Sequence, residues 1–416
     1  MNIPAYSHRR RAAQLAGALA LGLAAVSGPQ GAAAQEFNRG YVQLALGDFH
    51  SCALRHNGQV WCWGSNTSGQ LGTGDTENRL VPARVASPAP GFRRNNIIRI
   101  AAGGTNTCAL NDAGRAFCWG QNAFGQVGDG TTEMRTRPVQ VSVLRTGVQT
   151  IALGFRYGCA IAGTGRAFCW GAGGSGRRGD GTIDDTSLPT PVSTVPGFRR
   201  ANIADISAGE THSCALNAAG RAYCWGSNRN GRLGTGDGAD SLVPTPVNTA
   251  TPGFNLRNIA RIEAGSLHSC ALTNAGRVYC WGQNSRGQVG NDGDPTLDVP
   301  TPQPVDASAR GFGIRNIAHI AAGYAHNCAL TDAGRPFCWG WNNAGQIGDD
   351  STEDRAVPVP VEGLGGGLRD IATGYLHSCA IDRRGDVWCW GSNGSGRLGD
   401  GTTNASRTPV RVVGLP

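Results

Sequence analysis

Apolar residues along this chain alternate over short runs and return in the same local order seven times between residues 41 and 412. Each unit opens on an isoleucine-rich run such as Ile97 to Ala101 and passes to a Cys-Ala-Leu run. It turns at a glycine, comes back through aromatic-Cys-Trp-Gly, and closes on a Pro-Val run such as Val81 to Val85. Alternation of period two, bounded by Gly, Asn and Pro, predicts β-strands, four to each unit.

The strongest marker of the period is cysteine. Pairs ten residues apart fall at Cys52 and Cys62, Cys108 and Cys118, Cys159 and Cys169, Cys214 and Cys224, Cys270 and Cys280, Cys328 and Cys338, and Cys379 and Cys389. Six residues after each first cysteine stands a glycine, Gly58 in the first unit and Gly385 in the last. A glycine closing a three-residue hairpin loop takes the left-handed conformation such loops require. Counting outward from it sets Cys52 opposite Cys62, so turn chemistry fixes the register. The same count sets Ala53 opposite Trp61, and every other unit likewise places an alanine opposite an aromatic.

Both faces of such a hairpin are apolar and both must be covered. Radially stacked blades do this without helices, and a repeat of 51 to 58 residues between successive first cysteines is of blade size. The expected fold is therefore all-β, a seven-bladed β-propeller of four-stranded antiparallel blades. Tyr41-Val42-Gln43-Leu44 at one end and Pro409-Val410-Arg411-Val412 at the other predict a ring closed by strands from both chain ends, meeting in one blade.

The first 34 residues have the layout of a secretory leader, with basic Arg9, Arg10 and Arg11, an apolar run from Ala12 to Val26, and Ala32-Ala33-Ala34 before an expected cleavage at Gln35. Residues 35–416 are then one propeller domain, delivered to the periplasm or the medium. The paired arginines also raise the twin-arginine route, whose pattern Arg11-Ala12-Ala13-Gln14 matches poorly. A formal charge of +8 comes from arginine alone, scattered singly, and no cationic stripe suited to nucleic acid stands out along the chain. No second apolar stretch is long enough to insert in a membrane. The expectation is a monomer.

An oxidising destination makes seven intra-hairpin disulfides the natural reading of the cysteines. The rival is metal binding, because His50, His212, His268, His326 and His377 each lie two residues before a cysteine, with Asn106 and Tyr157 in their place in units two and three. Ten-residue spacing does not match zinc signatures, and the histidines read better as hydrogen-bonding groups near the central shaft. Loops such as Gly128-Asp129-Gly130 and Gly399-Asp400-Gly401 read as tight turns, since they lack a calcium loop's alternating oxygens. No nucleophile elbow, phosphate loop or His-Glu-x-x-His is present, and no cofactor is expected.

At this point His268-Ser269-Cys270-Ala271-Leu272, Gly276 to Asn284 and Gly287-Gln288-Val289-Gly290 resemble the repeat of the regulator of chromosome condensation family. The resemblance covers nearly all of residues 41 to 412 and implies a seven-bladed propeller. The family includes a nuclear exchange factor for a small GTPase, a secreted bacterial inhibitor of β-lactamases and parts of large signalling proteins, so it implies a shape more than a chemistry. Cysteine at two core positions of every unit departs from the usual repeat.

The reading is a non-enzymatic exported scaffold binding a protein or cell-surface ligand. The alternatives are a proteinaceous inhibitor of an extracellular hydrolase such as a β-lactamase, guanine-nucleotide exchange implied by resemblance alone, and a propeller glycoside hydrolase. The last requires acids and arginines converging in the central channel.

Two departures from the repeat are candidate partner-binding sites. The third unit carries Gly171-Ala172-Gly173-Gly174-Ser175-Gly176-Arg177-Arg178, putting Arg178 where other units keep an aliphatic residue; drift in one blade is the alternative. The longer links carry Gly-Phe at Phe92, Phe198, Phe254 and Phe312, absent after units two and six, and emerge on the face of the hairpin tips. There they supply aromatic content suited to protein contacts, unless each Phe caps its own blade.

Overall fold

The computed structural model describes residues 40–416 apart from Pro88, Arg94, Arg200, Leu256, Arg257, Pro295, Thr296 and Ile314. The expected leader, with its arginines and the expected cleavage point before Gln35, lies outside the described residues. Seven antiparallel four-stranded sheets form a closed ring, each built from four strands in sequence order. Blade 1 comprises β1 (Tyr41–Leu46), β2 (His50–Arg55), β3 (Val60–Gly64) and β4 (Arg79–Arg84). Blade 7 ends the chain with Asp370–Thr373, His377–Ile381, Val387–Gly391 and Ser406–Arg411. The first strand of each blade lines the shaft and the fourth is the outer edge.

The register is the one that the turn glycine dictates. Gly58 has φ +79°, and the hairpin beyond it pairs Leu54 with Val60, Ala53 with Trp61 and Cys52 with Cys62. All seven cysteine pairs are directly opposed and bonded.

The core lies between blades rather than within them. At the first junction Cys52, Leu54 and Leu71 pack on Ala109, Phe117 and Trp119 of the next blade, so the small alanine of one hairpin leaves room for its neighbour's apolar face. The Trp that follows each second cysteine is buried, and its indole N–H crosses the junction. Trp119 Nε1 donates to the Gln70 carbonyl at 2.9 Å, and Trp63 Nε1 donates to the Arg397 carbonyl at 2.9 Å, carrying the pattern from the last blade to the first.

Two expectations need correction. The ring is not closed by a blade with strands from both ends, because β1 belongs wholly to the first sheet and Ser406–Arg411 wholly to the last. Closure comes instead from packing, with Leu44, Ala53 and Trp63 against Ile381, Val387 and Val412. A terminal strand here has a complete partner set inside its own blade, which removes any need to borrow one.

The four link phenylalanines are not surface residues either. Phe92, Phe198, Phe254 and Phe312 are between 1% and 4% exposed, buried at the junctions between the blade before and the blade after. Each wedges edge-on against two aromatics of the following blade, as Phe92 does against Phe117 at 5.3 Å and Trp119 at 6.1 Å. The links that lack the motif use Leu144 and Leu368 for the same purpose.

Candidate functional site

A cavity of about 570 Å³ runs down the shaft, lined by the first strand of every blade and the turn that follows it. Gly47, in the first such turn, shows why the turns hold glycine. A Cβ there would sit 2.2 Å from the His50 ring and 2.8 Å from the carbonyl of Gly104 in the next blade. The imidazole fills the space that the missing side chain leaves.

Those histidines form a polar relay around the shaft. His50 Nε2 lies 2.8 Å from Thr107 Oγ1, which donates in turn to the Gln70 carbonyl. The same arrangement joins His212 to Ser269, His326 to Ser378 and His377 to Ser51, and His268 reaches Asn327 Oδ1. Because the hydroxyl proton goes to the carbonyl, Nε2 carries the imidazole hydrogen. Nδ1 is left bare and buried in all five rings. Tyr157 takes the role in blade 3 through Ser213, while Asn106 turns back to its own blade's carbonyls, so the second junction is bridged by the Trp170 indole and not by this side chain. Burial holds every one of these histidines neutral, with His50 pushed down to about 3 and His268 to about 4. The rings are spread one to a junction and the cysteines are consumed in disulfides, so among the described residues no metal-ligating set converges.

Deeper in the shaft lies a set of charged groups that the sequence did not single out. Arg99 donates to Thr150 at 2.8 Å, Arg261 pairs with Glu263 at 3.2 Å and meets His319 at 2.7 Å, and His319 lies 3.8 Å from Asp370. Asp370 also accepts the Leu44 N–H of the next blade at 2.7 Å. Burial raises these acids, Asp370 to about 6 and Glu263 to about 7, the latter also through the nearby Asp205.

At one mouth the residue after each turn glycine is free to vary, and it reads Asp48, Gly104, Phe155, Glu210, Ser266, Tyr324 and Tyr375 around the ring. With Phe49, Phe124 and Trp341 these make an aromatic rim. Tyr324 stacks on Tyr375 at 4.1 Å and reaches Trp341 at 5.9 Å, and Phe49 reaches Tyr375 at 6.1 Å. Arginines lie over four of the rings, with Arg397 over Phe49, Arg156 over both Phe124 and Phe155, and Arg286 over Trp341, all within 5.4 Å of the centroids. Asp48 is raised to about 6 by burial and then by Glu210, against Arg397.

The divergent third blade resolves differently from its sequence. Arg178 is 3% exposed and unavailable to a partner. Its guanidinium lies 3.0 Å from Asp180 and donates to Thr182 and Thr190. In the other blades an asparagine performs this task from five positions earlier, as Asn66 does by donating to Thr73 and Asp75. Gly173 stands at that position here, where a Cβ would collide with the Asp184 carbonyl at 1.9 Å. The hub has moved from one side chain to another. Arg177, half-buried, donates to the Gly174 and Glu210 carbonyls beneath the rim. The aspartates of the Gly-Asp-Gly loops are engaged in the same way, Asp129 by Thr131 and Arg135.

A family model described as the RCC1-like domain matches residues 188–416, and regulator of chromosome condensation (RCC1) repeat models match 57–110 and 113–161. The chain belongs to the RCC1 repeat family. This RCC1-repeat propeller is 31% identical over 375 residues to the Ultraviolet-B receptor UVR8 of Arabidopsis thaliana, covering 89% of this chain and 81% of the receptor. It is 32% identical over 359 residues to the secretion-regulating guanine nucleotide exchange factor of Bos taurus, covering 82% and 75%. Among solved structures, yeast RCC1 (Prp20) bound to Kap60 superposes with a TM-score of 0.73 at 22% identity, over 97% of this chain and 91% of that one, a likeness of fold.

Aromatic content therefore gathers at the mouth opposite the hairpin tips of the RCC1-repeat ring, and not with the link phenylalanines, which are buried. The signal was a single variable position in an otherwise constant turn, one residue per repeat. Scattered about fifty residues apart, these side chains form no motif until the ring assembles them.

Proposed function

We propose that this RCC1-repeat propeller is an exported, oxidised, non-enzymatic scaffold that binds a protein partner over the aromatic mouth of its shaft. The observation that carries the reading is the rim itself, with half-buried or exposed aromatics, four of them under an arginine. Aromatic and arginine side chains supply most of the energy of protein interfaces. The seven disulfides and the leader pattern support a location in the periplasm or the medium. An inhibitor of an extracellular hydrolase such as a β-lactamase is the narrower form of the same proposal. Guanine-nucleotide exchange, the activity in one relative's name, fits an exported chain poorly.

Two measurements test it. The intact mass of the exported protein should match a chain starting at Gln35 and be about 14 mass units below the reduced form, since its fourteen cysteines lose their hydrogens. A photo-crosslinking residue at Phe49 or Trp341 should give a discrete adduct with an exported protein, and one at Ile183 on the blade perimeter should give none. A full-length chain with free thiols, or equal labelling from both positions, defeats the proposal.

A second reading, a hydrolase acting on sugars, draws on Glu263 and Asp370 in the shaft. Turnover of a glycoside panel that is abolished by Glu263→Gln would establish it, and no turnover eliminates it.

A further inference from the structure

The arginines that looked scattered along the sequence are gathered by the fold. Residues 40–416 hold thirty-three arginines and twenty-eight carboxylates. Among the described residues, the hairpin turns between second and third strands, with the links between blades, hold twelve arginines and only six acids. The described residues at that end of the propeller carry a formal excess of six positive charges, while the remainder is net negative by four.

These segments form a continuous collar. At five junctions the end of a link, or the strand it enters, hydrogen-bonds to the hairpin turn of the blade before it, Val148 to Gly114, Ile203 to Gly165, Ile317 to Gly276, Leu368 to Gly334, and Tyr41 to Gly385 across the chain ends. Arg93, Arg145, Arg199, Arg335, Arg383 and Arg384 are all exposed on it. Among the described residues none of the six forms an ion pair, whereas arginines elsewhere are matched locally, Arg79 with Asp75, Arg135 with Asp129 and Arg355 with Asp349. Apolar groups stand among the charges. Val143 is 60% exposed, at a tight turn closed by Leu144 and Arg145, with φ +67°. A β-branched residue resists that conformation, and such strain marks positions held for a purpose. Val42 and Ile98 are exposed where the first strands enter the collar.

We propose that this collar docks the propeller on the anionic headgroup surface of a lipid bilayer. Guanidinium groups bind phosphate in a forked geometry and remain charged at any physiological pH. Distribution decides among anionic partners. A nucleic-acid duplex touches a stripe of cations, whereas these lie around a full circle at one level, which matches a plane. Exposed valine and isoleucine tips suit an interface that is charged outside and apolar just beneath. The proposal is independent of what the opposite mouth binds.

The test is co-sedimentation of the oxidised chain starting at Gln35 with phosphatidylcholine vesicles, with and without roughly a third of phosphatidylglycerol, at low and high salt. Binding is expected only to the anionic vesicles and should fade with salt. The variant R93Q/R199Q/R383Q/R384Q should bind at least about tenfold more weakly. The variant R79Q/R135Q/R355Q/R407Q, with the same change in net charge, should remain within about threefold of the parent. Equal loss in both variants would reduce the effect to net charge and overturn the collar. Equal sedimentation with neutral vesicles, or binding to duplex DNA in place of the vesicles, overturns the proposal.

Discussion

His377 of the last blade and Ser51 of the first meet across the junction of the two chain ends, Nε2 to Oγ at 2.9 Å. Ser51 passes its own proton to the Arg397 carbonyl, which also receives the Trp63 indole. One hydroxyl thus satisfies two buried groups at the place where the ring has no covalent continuity. Ser51→Ala leaves the buried His377 Nε2–H without its acceptor and the Arg397 carbonyl with the Trp63 indole alone, and should cost about 1–3 kcal/mol in urea unfolding, with m unchanged. An unaltered midpoint would show that packing alone closes the ring.

The buried histidines make stability depend on acid. Their folded pKa values lie far below the ordinary 6.5, at about 3 for His50 and His326 and about 4 for His268. Below pH 6.5 the unfolded chain takes up protons that the folded one refuses, so stability is lost as pH falls from there towards 4. Asp48 and Asp370, raised to about 6, and Glu263, raised to about 7, act oppositely. They are protonated first in the folded state, and their contribution is lost as pH rises through 6 to 7. The two sets oppose each other over the middle of the range. Thermal melts should show a gentle decline from pH 6.5 to 4.5 and a steeper one below about 4, where unfolded carboxylates are protonated too. In Asp370→Asn/Glu263→Gln the opposing set shrinks, so the decline between pH 6.5 and 4.5 should steepen.

The third blade offers a cycle of exchange. Arg178→Leu restores the usual aliphatic residue but leaves the partly buried Asp180 without its cation, for an expected loss of about 1–3 kcal/mol. Gly173→Asn alone meets the Asp184 carbonyl and should also destabilise. Together they rebuild the asparagine hub of the other blades, so the double variant should be more stable than the sum of the single losses by about 1 kcal/mol or more. Strict additivity would mean that the two positions are unrelated.

Phe92→Ala opens a void between the first two blades and should cost about 3–5 kcal/mol, with the same crosslinked adducts at the rim. A loss of partner with no loss of stability would return that side chain to a binding role. Cys108→Ala/Cys118→Ala should cost about 2–3 kcal/mol if loop closure dominates.

What could be read from the chain was whatever lies close in it. Gly58, Cys52 and Cys62 belong to one hairpin, so turn geometry determined their pairing and, repeated seven times, the blade count. Phe92 was misplaced because the rings that bury it, Phe117 and Trp119, belong to the next repeat. The rim and the collar were hidden for the same reason, since Phe49, Tyr324 and Tyr375, or Arg93 and Arg383, become neighbours only after the ring forms. The closing blade was misjudged because a strand at each end suggests a shared sheet, while Tyr41–Leu46 already pairs with His50–Arg55.

The outermost strand of every blade carries a proline at the same place, Pro82 in the first and Pro409 in the last, where the pairing with the third strand is irregular. A propeller leaves seven such strands bare around its circumference, each able in principle to recruit the edge of another molecule. Proline lacks the N–H that such recruitment needs, and the irregular pairing breaks the row of groups that would guide it. Concentrated solutions of the folded protein should therefore resist edge-to-edge fibre growth, which light scattering on prolonged storage would check.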